Sequence, residues 1–266
     1  MRIDNQVQAL LEILFDGYNR REYVHPDPLE FLYDYRRLCD REIVALIASA
    51  LAYGRVAQIL FAVSTVLEIL GDSPYDAIAN SSEKNLKALF ADFKHRLTTG
   101  EDIALMLCGV KRALKKFGSL NECFVAGMKR SDKTTLPAQS HFVAQLKAPY
   151  NGASSSLLPV PEKGSPMKRL NLFLRWMARR DEVDPGGWRG VKPALLIVPL
   201  DTHMHKIGLS LRLTDRKSAD MKTALEITAA FREIAPDDPV KYDFALTRLG
   251  IRENLDIPFY FHNCGV

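Results

Sequence analysis

Two charged residues open neighbouring predicted helices and could act together as a nucleophile and its base. Lys168 follows Ser165 and Pro166, which are typical of a helix N-cap and a first helical position, so it falls in the first turn of a helix. The positive end of the helix dipole disfavours a charged amine at this place. A neutral lysine amine can attack a sugar carbon and form a Schiff base. A surface lysine reaching into water would give the same spacing.

Asp201 is the second charged residue. It follows an apolar run, 194–200, and precedes a predicted helix at 202–213, so we expect it to be the N-cap. An ionised carboxylate there can activate an amine or stabilise a cationic sugar in the transition state. Capping alone is the other explanation. A separation of about 3–6 Å between the Lys168 amine and the Asp201 carboxylate would favour an activated nucleophile.

A glycine-rich turn over 184–192 lies between the two charges. Its backbone amides could approach a phosphate, and Arg189 and Lys192 add positive charge, although a simple turn would look the same. His203 and His205 are two positions apart on a helix and so face different ways, which disfavours a shared metal ion. The segment that begins at Lys168 is basic and is interpreted mostly as a solvated face; its other basic residues are Arg169, Arg175, Arg179 and Arg180.

Composition limits the classes of function. A net charge of +4 permits a polyanionic partner if the basic residues cluster. The four cysteines form no CxxC pair, so we expect no disulfide framework, no metal site and no cofactor. Polar and acidic residues interrupt the first twenty positions, and no apolar run is long enough to cross a membrane. We therefore expect a cytoplasmic protein without a membrane partner.

Hydrophobic spacing predicts an all-α protein of ten or more short helices, with no convincing strand. Asp40 is expected to cap a buried helix at 41–53, and a second buried helix follows at 55–70. Residues 148–166 are rich in Gly, Ser and Pro and are interpreted as a flexible loop. The other predicted helices cover 4–18, 29–35, two short segments within 74–93, 101–117, 120–128, 136–146, 166–177, 202–213, 218–234 and 240–249, and the tail over 251–266 is expected to be extended.

The segment around Asp201 resembles the helix-hairpin-helix superfamily of DNA glycosylases. Pro199 and Asp201, with His203 beside them, stand in VPLDTHMHKIGLSLRL and match the Pro-x-Asp-Thr-His pattern that carries the catalytic aspartate of that superfamily. Lys168 opens KRLNLF 33 positions earlier, which is similar to the lysine placement in archaeal 8-oxoguanine DNA glycosylases. The whole chain also resembles an uncharacterised bacterial family related to these enzymes.

The resemblance implies a two-lobed helical fold with a cleft between the lobes. A core lobe would cover about 36–147, and a catalytic lobe about 165–250, with the N-terminal helix at 4–18 packed on it, in one unit over 1–266. The helix-hairpin-helix itself would be degenerate. Only Gly190 and Val191 of the usual hairpin pattern remain, and Thr247 stands where an aromatic residue is expected.

The function implied is that of a DNA repair glycosylase with lyase activity. Lys168 would form a Schiff base with the sugar of an altered purine, most consistent with an oxidised one, and Asp201 would activate the lysine. The partner would be double-stranded DNA with a damaged base, bound by a monomer. The resemblance implies a base contact for Asp243. It also makes Tyr53 and Arg55 candidates for contact with the base and the DNA, because the corresponding turn of that superfamily often inserts into the DNA stack. Trp176 is a further candidate for the base, although a tryptophan ring more often belongs to the core, and the other candidate DNA contacts are Gly187, Arg189, Gly190, Lys192 and His203.

Two other classes of function remain open on the sequence. The altered hairpin and Thr247 favour a non-catalytic nucleic-acid-binding protein that retains the glycosylase fold. Such a protein would bind nucleic acid in a salt-dependent way that is unaffected by loss of the Lys168 amine. The third class is a hydrolase that acts on small nucleosides or modifies RNA, with the loop at 148–166 serving as a lid.

Overall fold

The computed structural model of the chain describes residues 3–252, and helices make up 61% of the structure against 2% strand. The predicted all-α class is thereby confirmed. Residues 253–266, most of the tail expected to be extended, lie outside the described residues. The helices are α1 (Asn5–Tyr18), α2 (Leu38–Ala50), α3 (Val56–Leu70), α4 (Pro74–Asn80), α5 (Glu83–Leu89), α6 (Gly100–Phe117), α7 (Leu120–Val125), α8 (Leu136–Lys147), α9 (Lys168–Ala178), α10 (Thr202–Ser210), α11 (Met221–Ile234) and α12 (Asp243–Arg252).

The buried helix α2 organises the described part of the chain. Ten of its residues are buried, because apolar side chains cover almost its whole circumference. It packs against α9, α4 and a 3₁₀ segment at Pro28–Asp34. The contact with α9 matters most for function, because it fixes the helix that begins at Lys168.

Asp40 lies inside α2 rather than before it, so its expected capping of that helix was wrong. The helix begins at Leu38, two residues earlier than Asp40. The Asp40 carboxylate instead accepts hydrogen bonds from the Ser73 hydroxyl and the Tyr75 amide, both at 2.9 Å. It therefore stabilises the start of α4, a partner more than thirty residues away that local sequence could not indicate.

Glu42 is a buried carboxylate that ties α2 to two other elements. It accepts hydrogen bonds from the amides of Leu120 at 2.8 Å and Asn121 at 3.1 Å, at the start of α7. It also accepts one from the indole nitrogen of Trp188 at 3.0 Å. Burial nevertheless leaves the pKa of Glu42 raised. The three donors hold the glycine-rich turn against α2 and α7.

Helices α1 and α12 pack together and bring residues from opposite ends of the described chain into contact. The Glu12 carboxylate accepts hydrogen bonds from the Lys241 ammonium and from the Tyr242 hydroxyl, each at 2.6 Å. This pairing fixes the segment that leads into α12 and its first residue, Asp243.

A small hairpin is the only sheet structure in the described part of the chain, and the sequence did not predict it. Strands β1 (Lys94–His95) and β2 (Thr98–Thr99) pair antiparallel, with His95 opposite Thr98. Two-residue strands are too short to show an alternating pattern of apolar residues. Tyr53, in the turn between α2 and α3, contacts the hairpin and holds it in place.

Within residues 3–252, no single helix is both long and apolar enough to cross a membrane. Helices α3 and α4 meet the length and composition requirements only when they are taken together, and the chain bends by 57° between them.

Replacing Gly109 by alanine should destabilise the fold, because α6 and α8 approach closely at this glycine. A Cβ atom at Gly109 would lie 2.0 Å from the Leu146 carbonyl oxygen, so the helices would have to separate. We expect the free energy of unfolding, measured by urea denaturation, to fall by roughly 1–3 kcal/mol. Gly17→Ala in α1 is the matched control. Nothing lies within 4 Å of its added Cβ, so stability should rise by about 0.5–1 kcal/mol. A Gly109→Ala protein as stable as the wild type would contradict this account of the packing.

Candidate active site

Helix α9 begins at Lys168, which confirms the first-turn position of this lysine. The expected N-cap at Ser165 was wrong by two residues. Met167 occupies the N-cap position, with φ of 53° and ψ of 31°, and its side chain is fully buried. The Ser165 hydroxyl accepts a hydrogen bond from the Met167 amide at 3.3 Å and so shapes the preceding turn. A left-handed conformation is costly for methionine, on the order of 1 kcal/mol, so burial of its side chain must hold the backbone there.

Asp201 is the N-cap of α10, as expected. Its carboxylate accepts hydrogen bonds from the amides of His203 and Met204, both at 2.9 Å. The other carboxylate oxygen lies 3.1 Å from the Lys168 ammonium. The side chains of Lys168 and Asp201 are 34% and 23% exposed, so the pair is accessible from solvent but partly shielded. The separation is within the expected range, and the positive ends of two helix dipoles meet at this ion pair.

A cavity of about 310 Å³ opens beside the ion pair. Its size is typical of a site for a small organic ligand. The walls are mostly apolar, with polar groups at a few places. The lining residues are Pro26, Asp27, Pro28, Ala52, Val56, Ile59, Lys168, Leu172, Arg175, Trp176, Pro199, Asp201, His203, Asp243, Phe244, Thr247 and Arg248.

The buried polar atoms of the lining that lack a hydrogen-bond partner among the described residues include one on α9 and one on α12. These two are the indole nitrogen of Trp176, a donor, and the Oδ1 oxygen of Asp243. Buried polar groups almost always have a partner, and leaving one without a partner costs about 1–3 kcal/mol. Both residues line the cavity, so one donor and one acceptor of the lining residues are left without a protein partner.

Buried ion pairs of Arg175 and Arg179 lie next to these groups, and we call them the cavity floor. Arg175 donates to Asp184 at 3.2 Å and also bonds to Asp243. Arg179, the C-cap of α9, also bonds to Asp184. It bonds to Asp238 and to Asp181 at 2.8 Å each. Arg175 and Arg179 are only 3% and 4% exposed, so their interpretation as a solvated face was wrong. Their partners lie in the loop after α9 and near the start of α12.

Asp243 has an unusual acidity for a carboxyl group. Burial raises its pKa to about 6, although the nearby Arg175 guanidinium acts in the opposite direction. The negative charges of Asp201 and Asp184 contribute further to the increase. Burial lowers the pKa of Arg175, but Asp184 and Asp243 outweigh it and leave that pKa raised. Arg175 therefore stays charged while Asp243 titrates near neutrality.

The structure brings five of the sequence-predicted site residues to one cavity: Lys168, Asp201, Trp176, Asp243 and His203. Arg55, the N-cap of α3, is exposed and directly precedes Val56 of the lining. Tyr53 does not line this cavity. Its hydroxyl lies 2.6 Å from the Thr98 hydroxyl and donates to the His95 carbonyl at 2.9 Å, so it faces the hairpin instead.

The residues of the glycine-rich turn that were predicted to contact phosphate lie away from this cavity. Gly187, Arg189, Gly190 and Lys192 are exposed, and none of them lines the cavity. A Cβ atom at Gly187 would lie 2.5 Å from Leu38 of α2, and one at Gly190 would lie 3.1 Å from Val125 of α7. These glycines permit close packing at positive φ angles, which is a structural role.

Several backbone amides of this turn already donate hydrogen bonds within the protein. The Gly186 amide donates to the Trp176 carbonyl at 3.0 Å, and the Trp188 amide donates to the Met177 carbonyl at 2.9 Å. Both carbonyls belong to the last turn of α9, which otherwise would lack partners. The Arg189 amide donates to the Asn121 side chain at 3.0 Å. Part of the donor set expected for a phosphate therefore stabilises the fold.

Sequence reasoning did not identify Arg175 as part of the site. The available signal was its spacing of four residues from Arg179, followed closely by Asp181 and Asp184, which can place complementary charges together. Its partner Asp243 is 68 residues away, so only the tertiary structure brings them into contact. Within the described residues, no group of three or more His, Cys, Asp or Glu side chains could hold a metal ion.

The raised pKa of Asp243 predicts a pH-dependent contribution to stability. Its folded-state pKa of about 6 exceeds the ordinary value of 3.8, so the folded protein holds more protons between these values. Stability should therefore fall as pH rises through this window. Relative to Asp243→Asn, which retains an oxygen for Arg175, the wild type should lose about 1 kcal/mol per pH unit near pH 5 and level off above about pH 7. Urea denaturation of both proteins measures the difference, and a difference independent of pH would contradict the assignment.

Comparison with known proteins adds family membership but no activity. The model of a family described as a protein of unknown function, DUF2400, matches residues 27–252. This range includes the ion pair, the cavity floor and most of the described structure. No curated protein and no solved structure matches the chain. Because the match covers most of the sequence, the chain belongs to the DUF2400 family.

Proposed function

We propose that the protein is a DNA glycosylase with lyase activity, which removes an oxidised purine through a lysine Schiff base. One observation carries the proposal. The Lys168 ammonium and the Asp201 carboxylate lie 3.1 Å apart at a cavity that contains an unpartnered buried donor and acceptor. A nucleophile beside a base, next to a site for a flat polar ligand, suits attack on a nucleotide whose base occupies the cavity.

The chemistry requires one proton transfer before attack. Lys168 passes a proton to Asp201, and the resulting amine attacks C1′ of the deoxyribose. The bond between C1′ and the base nitrogen breaks, its electron pair leaves with the base, and the base takes up a proton. The attached nitrogen then loses a second proton. Its electron pair forms the C1′=N bond as the C1′–O4′ bond breaks, and O4′ takes up a proton, which gives a protonated imine. Loss of a C2′ proton then expels the 3′ phosphate, which cleaves the strand.

The cavity suits a purine that carries an additional N–H donor. Oxidation at C8 converts the purine N7 from an acceptor into a donor, and the unpartnered Oδ1 of Asp243 can accept from it. Burial raises the pKa of Asp243 to about 6, which is still below neutral pH, so the ionised carboxylate predominates there and accepts hydrogen bonds. The Trp176 indole offers a donor to a base carbonyl, while Phe244 and Leu172 contribute apolar surface.

The surroundings of the site support binding to a polyanion. The N-termini of α9 and α10 meet at the ion pair, and such helix ends favour phosphate groups. Arg55 and His203 stand beside the cavity. We propose that these groups contact the strand around the displaced nucleotide. Contacts of Gly187, Arg189, Gly190 and Lys192 with DNA remain predictions and would require the duplex to extend towards α2 and α7.

The proposal also includes the finer architecture of a glycosylase. Residues from 52 to 59 form one wall of the cavity, and residues of α9, α10 and α12 form another. This arrangement is consistent with a cleft between a lobe at 36–147 and a lobe at 165–250. The expected hairpin position holds the glycine-rich turn and a 3₁₀ segment, Pro193–Leu195. We propose that this turn and this 3₁₀ segment together are a degenerate helix-hairpin-helix.

Loss of the Lys168 amine should abolish covalent capture of DNA. Wild-type protein incubated with borohydride and a duplex containing an 8-oxoguanine or an abasic site should give a covalent adduct, visible as a slower band on a denaturing gel. Lys168→Ala should give none, because no amine remains to form the imine. Lys206→Ala removes an exposed lysine on α10 that does not line the cavity, so this control should trap like the wild type.

The trapping result also separates the two classes of function. A wild-type protein that binds duplex DNA but never forms an adduct would support the non-catalytic alternative and reject the lyase activity. A wild-type protein that neither binds nor traps any of these duplexes would reject the proposal as a whole.

Asp201→Asn should separate capping from chemistry. Asparagine caps a helix about as well as aspartate, so the free energy of unfolding should change by only a few tenths of a kcal/mol. It cannot take the lysine proton, however, and the rate of adduct formation at neutral pH should fall by about 10²–10⁴-fold. Single-turnover trapping and urea denaturation measure the two effects. Unchanged trapping by Asp201→Asn would limit the carboxylate to a capping role.

A further inference from the structure

Leu97 is the most exposed large hydrophobic side chain among the described residues, at 85%. It occupies the tip of the hairpin, where Arg96 and Leu97 connect β1 to β2. Arg96 has a φ of 53°, a left-handed conformation that costs a non-glycine residue free energy. An exposed leucine beside a strained arginine is unfavourable for folding, and such conflicts concentrate at functional sites.

The hairpin is firmly attached despite its small size. The buried His95 ring packs edge-on against the Tyr53 ring, with 4.8 Å between their centroids, and its Nε2 lies 3.1 Å from the Tyr53 carbonyl oxygen. The Tyr53 hydroxyl bonds to His95 and Thr98, as described above. The Asp102 carboxylate accepts from the Thr99 amide at 2.9 Å and fixes the other end. The tip is therefore presented on a supported base.

This support places the tip beside the candidate active site. A Cβ atom at Gly54 would lie 2.8 Å from the Arg96 guanidinium, so the Arg96 side chain lies directly over that glycine. The residues on either side of this turn, Ala52 and Val56, line the cavity. The hairpin tip and the cavity thus share one short stretch of backbone.

The charges near the tip are positive. Lys94, Arg96 and Arg55 are exposed there, and the Arg169 guanidinium lies 5.1 Å from the Tyr53 ring centroid. The acidic residues of this region, Asp92, Glu101 and Asp102, belong to the segments flanking the hairpin, and Glu101 pairs with Lys87 at 3.9 Å. An apolar tip surrounded by basic residues is complementary to stacked bases between phosphate strands.

We propose that Leu97 enters the base stack of duplex DNA and fills the space left when the target nucleotide moves into the cavity. Arg96 and Arg55 hold the flanking phosphates. This inference rests on the proposed glycosylase function and assigns the insertion to a hairpin. Tyr53, in the turn that the family resemblance favoured for insertion, uses its ring and hydroxyl to support the hairpin and is unsuited to enter the stack.

A fluorescent duplex tests the insertion directly. The duplex contains a tetrahydrofuran abasic analogue with 2-aminopurine opposite it. Wild-type binding should increase the 2-aminopurine fluorescence, because an inserted side chain disrupts its stacking. Leu97→Gln should abolish this increase and raise the Kd for this duplex by about tenfold or more. Leu97→Met retains an apolar side chain and should restore both the fluorescence change and the affinity.

Ile13→Gln is the matched control, because Ile13 is also exposed, at 66%, but lies on α1. It should behave like the wild type, and thermal unfolding should show that all variants fold. If the wild type binds and traps DNA while Leu97→Gln matches it in fluorescence and Kd, the insertion is overturned and the glycosylase proposal stands. If the wild type neither binds nor traps, both fail together.

Discussion

The buried ion pairs around Arg175 and Arg179 are the constraint on which the rest of the structure depends. Two guanidinium groups on α9 are removed from water, and each must be neutralised where it lies. Asp184 pairs with both, while Asp243 and Asp238 bring the segments around the start of α12 to the same helix. Removing one partner from a buried pair typically costs about 3–5 kcal/mol. The loop after α9 and the start of α12 consequently have few alternative positions.

From this anchored helix follows the geometry of the candidate site. Ion pairs fix the C-terminal end of α9, and the helix packs on α2. Its first residue, Lys168, therefore has a defined position. Asp201 is positioned independently, by capping α10 with two backbone hydrogen bonds. Their separation of 3.1 Å therefore results from two rigid helix ends and not from two flexible surface chains. In the proposed reaction, a pair arranged in this way would require little reorganisation.

Local patterns predicted the helical class, the buried helix α2 and the first-turn places of Lys168 and Asp201, because spacing and capping depend on neighbouring residues. The environment of Arg175 could not be predicted in the same way, since its partner Asp243 is 68 residues away. Asp40 misled for a related reason: it resembles a local cap, but its hydrogen bonds go to α4. Contacts with Tyr53 stabilise the hairpin at 94–99, and four strand residues are too few to show a pattern that would predict the hairpin.

The contact between α1 and α12 has a consequence for how the protein matures. During synthesis, the residues that form α1 to α11 emerge before α12 does. A nascent chain that has reached α10 already contains Lys168 and Asp201, but Arg175 still lacks Asp243, and Glu12 lacks Lys241 and Tyr242. The contact of Arg175 with Asp243 and the contacts of Glu12 with Lys241 and Tyr242 thus form only after residues 241–243 have been made. A partly synthesised chain of this kind therefore lacks the side of the cavity that α12 supplies.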